Sequence, residues 1–294
     1  MSDLLHVPGP DDRTIEVLDG GDPEGYPVLY HGGSPSAVAA YQPMDDTARA
    51  LGLRLITYSR PGYGGSTPRP AAGTYADDVT ESALVLDHLG AGEFLTFGWS
   101  GGGPRALACA ALLPDRCRAT TSVAGVAPHD AAGLDWFDGM ADENIAEYHA
   151  AEQGADAYTA YLEESFMPVL HVSAGELAEA MGGLVTPVDR EAMTPDLVDW
   201  MARTFHRAGA QGVVGVRDDG LAATRPWGFD LADVRVPAAI WQGRQDAMVP
   251  FAHGEWLAAA VPGAEAHLLD DEGHISLVNR LETILTDLKR LGGI

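Results

Sequence analysis

The chain has 294 residues, 46% of them hydrophobic, and sets 18 basic against 43 acidic side chains for a formal net charge of -25. Its length suits one large domain, or a core with an insertion. So negative a surface repels polyanions, which argues against nucleic acid and acidic membranes as partners. No run of about 18 apolar residues that would span a bilayer is present, and the opening MSDLLHVPGPDDR lacks the basic start and apolar run of a secretory signal. A cytoplasmic location is therefore expected.

In chain order, Thr14 to Leu18 alternates and predicts an edge strand. Strands are further predicted at 27–33 (PVLYHGG), at the start of 54–66 (RLITYSRPGYGGS), and at 93–98, 119–126, 237–243 and 264–270. Helical patterns at 37–51, 75–89, 104–113, 251–261 and 277–291 separate them. Strands alternating with helices imply an α/β fold with a mostly parallel sheet and helices on both faces.

One interval breaks this rhythm. Between Asp130 and Arg225 there is no convincing strand, and helices are predicted near 142–153, 155–169, 174–181 and 195–208. The expected organisation is a core of residues 1–129 and 226–294 with a helical cap over 130–225, inserted between two late strands. The insertion carries 18 acidic and 5 basic side chains, a net -13.

The stretch FGWSGGGPRALACAA places Ser100 between a predicted strand and a predicted helix, with glycines at 98 and 101–103. A Gly-x-Ser-x-Gly match carries weight only in that strand–turn–helix setting. There the turn is sharp, the serine backbone is strained, and side chains at Gly98 or Gly102 would strike the neighbouring strand and helix. Pro104 falls in the first helical turn, where it loses no hydrogen bond. A serine hydroxyl needs a base, and the base needs an orienting acid. Of ten histidines, His274 in DDEGHIS follows the last predicted strand, and Asp246 in WQGRQDAMVP follows the strand before it. His88, His149, His253 and His267 read as structural or surface residues. Asp130, after the strand at 119–126, is the weaker alternative for the acid.

These pieces together resemble the alpha/beta hydrolase family, of the serine-nucleophile type with a helical cap. The matching segments are HGG at 31–33, SRPGYGGS at 59–66, GWSGG at 98–102, GRQDAMVP at 243–250 and EGH at 272–274, in the family's order. The resemblance implies a Ser100–His274–Asp246 triad and an oxyanion hole from the backbone N–H groups of Gly33 and Gly101. His31 and the loop 60–66 are expected to serve packing, with Arg60 and Tyr63 at the border of the site. Gly101 stands where many relatives have a bulky residue, which widens the pocket floor and weakens a haloperoxidase-like reading; Trp99 is a candidate to shape the pocket. The expected activity is hydrolysis of a small or medium uncharged carboxylic ester, or of a related acyl substrate, through an acyl-enzyme. The alternatives are an aminopeptidase similar to proline iminopeptidases, with Glu143, Glu147, Glu163 or Glu164 holding a substrate ammonium, and a non-hydrolytic lyase or cyclase. No cofactor or metal is expected, because no zinc-type Cys/His spacing and no dinucleotide fingerprint is present. Cys109 and Cys117 read as buried small hydrophobes.

Overall fold

The computed structural model describes residues 3–294. The strands are β1 (Asp3–Pro8), β2 (Thr14–Gly21), β3 (Tyr26–His31), β4 (Leu53–Tyr58), β5 (Phe94–Trp99), β6 (Cys117–Val123), β7 (Ala210–Val213), β8 (Ala238–Gly243) and β9 (Glu265–Leu269). All but β7 join one sheet, in the order β1-β2-β4-β3-β5-β6-β8-β9. The β1–β2 and β2–β4 pairs are antiparallel and every other neighbouring pair is parallel. The helices flanking the sheet are α1 (Gln42–Ala50), α2 (Asp78–His88) and α3 (Gly103–Leu112).

Between β6 and β8 lie α4 (Asp142–Glu152), α5 (Ala155–Tyr161), α6 (Met167–Leu170), α7 (Leu177–Ala180), α8 (Pro187–Ala192), α9 (Pro195–Ala208) and α10 (Val214–Ala223). Helices α11 (Phe251–Ala260) and α12 (Leu281–Gly292) follow β8 and β9. Among the described residues no helix is long and apolar enough to cross a membrane.

The two-residue period of the strands divides the core. On β3, Leu29 belongs to a buried cluster that also takes in residues of α2, α3 and α11, while Val28 and Tyr30 belong to the cluster of the other face with Met44 and Ala48 of α1 and Leu281, Leu285 and Leu288 of α12. Both faces are therefore covered, which is what a largely parallel sheet requires.

Several boundaries differ from the sequence expectation. Strand β2 is not the edge, because β1 pairs outside it. Helix α1 starts at Gln42 rather than at residue 37: Pro43 takes the first turn, and a residue before proline is disfavoured in the helical region. The residues ahead of it are held as a loop, with Val38 N–H donating to Ser59 Oγ at 2.9 Å. The stretch 155–169 is broken by a π-turn at Leu162–Phe166. Helices α8 and α10 and the short β7 carry no clear period in the sequence; α10 contains two glycines.

A buried chain of ion pairs ties α10 to the core. Arg13 bonds Glu81 (2.9 Å), Glu81 bonds Arg69, and Arg69 bonds Asp78 (2.8 Å). Asp78 then bonds Arg105 (2.5 Å), and Arg105 bonds Asp219 (2.6 Å), which also takes Arg60 at 2.5 Å. The Tyr63 hydroxyl donates to the same Asp219 carboxylate at 2.8 Å. Burial raises the Asp219 pKa, but Arg105 and Arg60 outweigh it and hold the group at about 2.

Asp219→Asn leaves two guanidinium groups facing each other with half their counter-charge gone. Breaking a buried pair in this way costs about 3–5 kcal/mol, and a fall in melting temperature of roughly 5–10 °C is expected for a chain of this size. Because the folded pKa lies below the ordinary carboxylate value, the stability difference between wild type and variant is full above about pH 4 and shrinks as pH falls toward 2. Thermal melts of both proteins across that range check this; equal melting temperatures at neutral pH would refute the coupling.

Candidate active site

Parallel strands place their carboxyl ends on one side of a sheet, and ligands gather there. Strands β3 and β5 are neighbours, with His31 opposite Gly98, so the HGG turn and the Ser100 turn emerge side by side. Ser100 follows β5 directly and has φ 55°, a left-handed conformation that costs a non-glycine residue roughly 1–2 kcal/mol. The surroundings enforce it. A Cβ on Gly98 would lie 1.9 Å from the Gly102 carbonyl oxygen, and one on Gly102 would lie 2.0 Å from that of His31. The turn and the two strands therefore approach as closely as glycine permits, as the sequence implied. Helix α3 begins at Gly103 with Pro104 in its first turn.

Asp246 and His274 come from the loops after β8 and β9 and meet at 2.8 Å, Asp246 Oδ2 to His274 Nδ1. The acid is buried and fully occupied: Oδ1 accepts the Met248 and Val249 N–H groups at 2.8 Å each, and Oδ2 also accepts the Gln242 amide at 2.9 Å. An acceptor-only carboxylate selects the tautomer with the proton on Nδ1, leaving Nε2 as the free base. Burial pushes the His274 pKa down, but the charge and hydrogen bond of Asp246, with Asp189 adding to them, hold it above the ordinary value. Ser100 makes no hydrogen bond to His274; both side chains line one cavity, and such contacts often tighten only when substrate binds. Asp130 is exposed and is not among the residues lining that cavity.

The loop carrying His274 is itself held by Asp189 of α8, which is fully buried. Its carboxylate accepts the backbone N–H groups of His274 (3.2 Å), Ile275 (2.8 Å) and Ser276 (2.9 Å). Nothing in the sequence singled out Asp189 or Asp219, because an acid in so acidic an insertion reads as surface until its partners are known.

Arg60 was expected at the border of the site. It donates to the Gly32 carbonyl at 2.8 Å and the Gly33 carbonyl at 2.7 Å. A peptide is planar and trans, so fixing the Gly32 oxygen fixes the direction of the Gly33 N–H. On the other loop the Gly103 N–H bonds the Ser100 carbonyl, which fixes the Gly101 N–H, and Arg105 holds the Gly101 carbonyl. Gly33 packs against Ser100: a Cβ there would lie 3.2 Å from Ser100 Cβ.

Two cavities meet at Ser100. One, of about 160 Å³, holds His274 and Trp99 and is walled by Tyr41, Met44, Trp200 and Met201. The other, of about 280 Å³, reaches under α4 and is lined by Glu147, Tyr148 and Tyr161. Of the insertion's aromatic residues, Trp200 and Phe205 thus face the first cavity, whereas Trp136 is core, packed on His253.

The other histidines have structural or surface settings. Burial, with the charges of Arg105 and Arg60, pushes His31 down to about 3. Burial likewise lowers His253 to about 4; its Nδ1 accepts from Ala127 N–H and its Nε2 faces the Trp136 carbonyl. His88 and His149 are exposed on helices, and His267 stacks on Trp241. Glu265, His267 and Asp287 are close enough for a metal ion, but Arg290 already bridges the two acids at 2.5 and 2.6 Å, and the group lines neither cavity. Cys109 and Cys117 are buried free thiols.

The family model for the alpha/beta hydrolase fold matches residues 26–281. The chain is 26% identical over 250 residues to a 2-hydroxy-6-oxononadienedioate/2-hydroxy-6-oxononatrienedioate hydrolase of Burkholderia vietnamiensis, covering 84% of this chain and 80% of that one. It is 25% identical over 293 residues to a probable proline iminopeptidase of Leptolyngbya boryana, covering 94% and 89%. Its fold is similar to that of a thermophilic esterase from Thermogutta terrifontis, with TM-score 0.71, 20% identity, and 99% and 100% of the two chains covered. With the match spanning most of its length, the chain belongs to the alpha/beta hydrolase family.

Proposed function

We propose that this enzyme is a serine hydrolase that cleaves a small or medium uncharged carboxylic ester through an acyl-enzyme on Ser100. The observation that carries this reading is the conjunction at the strand ends: a serine in a left-handed turn shares a cavity with His274, whose far nitrogen is bonded to the buried Asp246. In the first step His274 Nε2 takes the Ser100 proton while the oxygen attacks the ester carbonyl. The negative charge that develops on the carbonyl oxygen is met by the N–H groups of Gly33 and Gly101. Two donors fixed in advance stabilise that charge without reorganisation, each by roughly 3–4 kcal/mol. The imidazolium, supported by Asp246, gives its proton to the departing alcohol, and a water activated by the same His274 clears the acyl group. The helices of 130–225 act as a cap that roofs both cavities and shields these charges from water.

A fluorophosphonate probe is expected to label the protein once, and Ser100→Ala to abolish labelling and turnover of p-nitrophenyl esters. Labelling that persists in the variant would place the nucleophile elsewhere. Running proline-β-naphthylamide beside the esters tests the aminopeptidase alternative; faster cleavage of the amide would displace the ester reading.

The base form of His274 is lost as pH falls, so kcat/KM is expected to rise with pH, with its midpoint above the ordinary imidazole value of about 6.5. Asp246→Asn removes the charge that opposes burial, so the midpoint should move to lower pH. Turnover should drop by roughly 10⁴ through loss of the working tautomer, whereas Asp130→Asn changes little. A larger loss from Asp130→Asn would put the acid on the other strand.

A further inference from the structure

The two cavities that meet at Ser100 differ in chemistry, and the position of His274 says which half of a substrate each receives. His274 lines the apolar cavity with Leu197, Trp200 and Met201, and not the cavity under α4. The imidazolium must reach the departing oxygen to protonate it, so the alcohol lies on the His274 side. The acyl group is left with the cavity under α4.

Several polar groups lining that second cavity are already engaged. Arg105 and Asp219 bind each other at 2.6 Å. Glu143 accepts the Gly183 N–H at 2.8 Å, and the Asn144 amide donates to the Met248 carbonyl at 3.1 Å. Glu147 and Tyr148 are different. Glu147 Oε1 accepts the Tyr158 hydroxyl at 2.5 Å, and its second oxygen has no partner among the described residues. The Tyr148 ring packs edge-on against Trp136, and its hydroxyl has no hydrogen-bond partner among the described residues. On α4 the cavity thus meets an unused acceptor and an unused donor from consecutive residues; the Tyr75 and Tyr161 hydroxyls, which line it from other elements, also have no hydrogen-bond partner among the described residues.

We propose that the cavity under α4 is the acyl site and that it selects acyl groups whose far end bears an uncharged hydroxyl, donating to Glu147 and accepting from Tyr148. This deepens, and rests on, the ester-hydrolase reading. A hydroxyl satisfies both groups at once, since it is donor and acceptor together. An ammonium offers donors only and leaves the Tyr148 proton without an acceptor. A carboxylate meets Glu143, Glu147 and Asp219 in the same walls. Burial, with the nearby charge of Asp219, also pushes Glu147 up to about 7. Near neutrality a good share of it is therefore uncharged, a state that still accepts from a hydroxyl but forms no ion pair with an ammonium.

The test is a set of benzyl esters with one alcohol and three acyl groups: hexanoate, omega-hydroxyhexanoate and omega-aminohexanoate. The kcat/KM for the hydroxy ester is expected to exceed that for hexanoate by about tenfold, the size of one to two net hydrogen bonds, with the amino ester no better than hexanoate. In Tyr148→Phe, and separately in Glu147→Gln, the hydroxy-to-plain ratio should fall severalfold, and fluorophosphonate labelling of each variant reports that its site is formed. Equal rates for the hydroxy and plain esters, a ratio untouched by both substitutions, or a preference for the amine would each overturn the assignment while leaving ester hydrolysis standing. Failure to cleave any of the three esters would instead defeat the hydrolase reading, and the acyl-site assignment with it.

Discussion

The Asp219 carboxylate, set between the guanidinium groups of Arg60 and Arg105, is the contact on which the site's geometry depends. Each arginine reaches past it to backbone carbonyls of the two turns that flank Ser100: Arg60 to Gly32 and Gly33, Arg105 to Gly101. A guanidinium that holds a carboxylate on one edge and carbonyls on the other cannot rotate without losing both. The N–H groups proposed to receive the developing charge are therefore aimed by side chains that never approach a substrate. Buried charges of this kind are tolerated only when every one is paired, and Asp78, Arg69 and Glu81 continue the alternation outward.

The same economy of motion applies to the side chains proposed to react. Ser100 has little freedom to relax out of its left-handed turn, because the flanking glycines leave no space for another path. Asp246 is pinned by four hydrogen bonds, and the His274 loop hangs from Asp189. Such pre-positioning matters because electrostatic stabilisation is largest when dipoles need not reorient during reaction. The paired cavities extend the logic to the proposed substrate: a carbonyl reacting at Ser100 would have its two halves sorted by walls of different polarity.

Much of this was legible in the sequence, for definite reasons. A strand that runs into glycine is easy to recognise, and Ser100 and Asp246 each stand just beyond one, while His274 follows the last strand. The alternation of strands and helices announced a sheet covered on both faces, and the interruption between residues 130 and 225 marked where helices accumulate. What could not be read was the use made of the insertion's acids. Their excess looked like a solvated surface, and for Glu163 and Glu164 that is where they lie. Asp189, Asp219 and Glu147 point inward instead: the first two meet loop N–H groups and two arginines from distant parts of the chain, and Glu147 meets Tyr158 of the next helix. No local period records such pairings. For the same reason α8 and α10, which carry the first two, were missed as helices.

Asp189 and Asp219 both belong to the segment between β6 and β8, yet one steadies the histidine loop and the other the turns around the serine. That segment is consequently no interchangeable cassette. A relative's lid grafted onto this core, however well its apolar underside matched, would arrive without the two internal carboxylates unless they stood at equivalent heights in it. On the reading proposed above, a change of substrate preference would fall to side chains such as Glu147 and Tyr148 that face the second cavity, while the helices bearing the two anchors stay tied to the core. The roof can be redecorated, but two of its beams also hold up the floor.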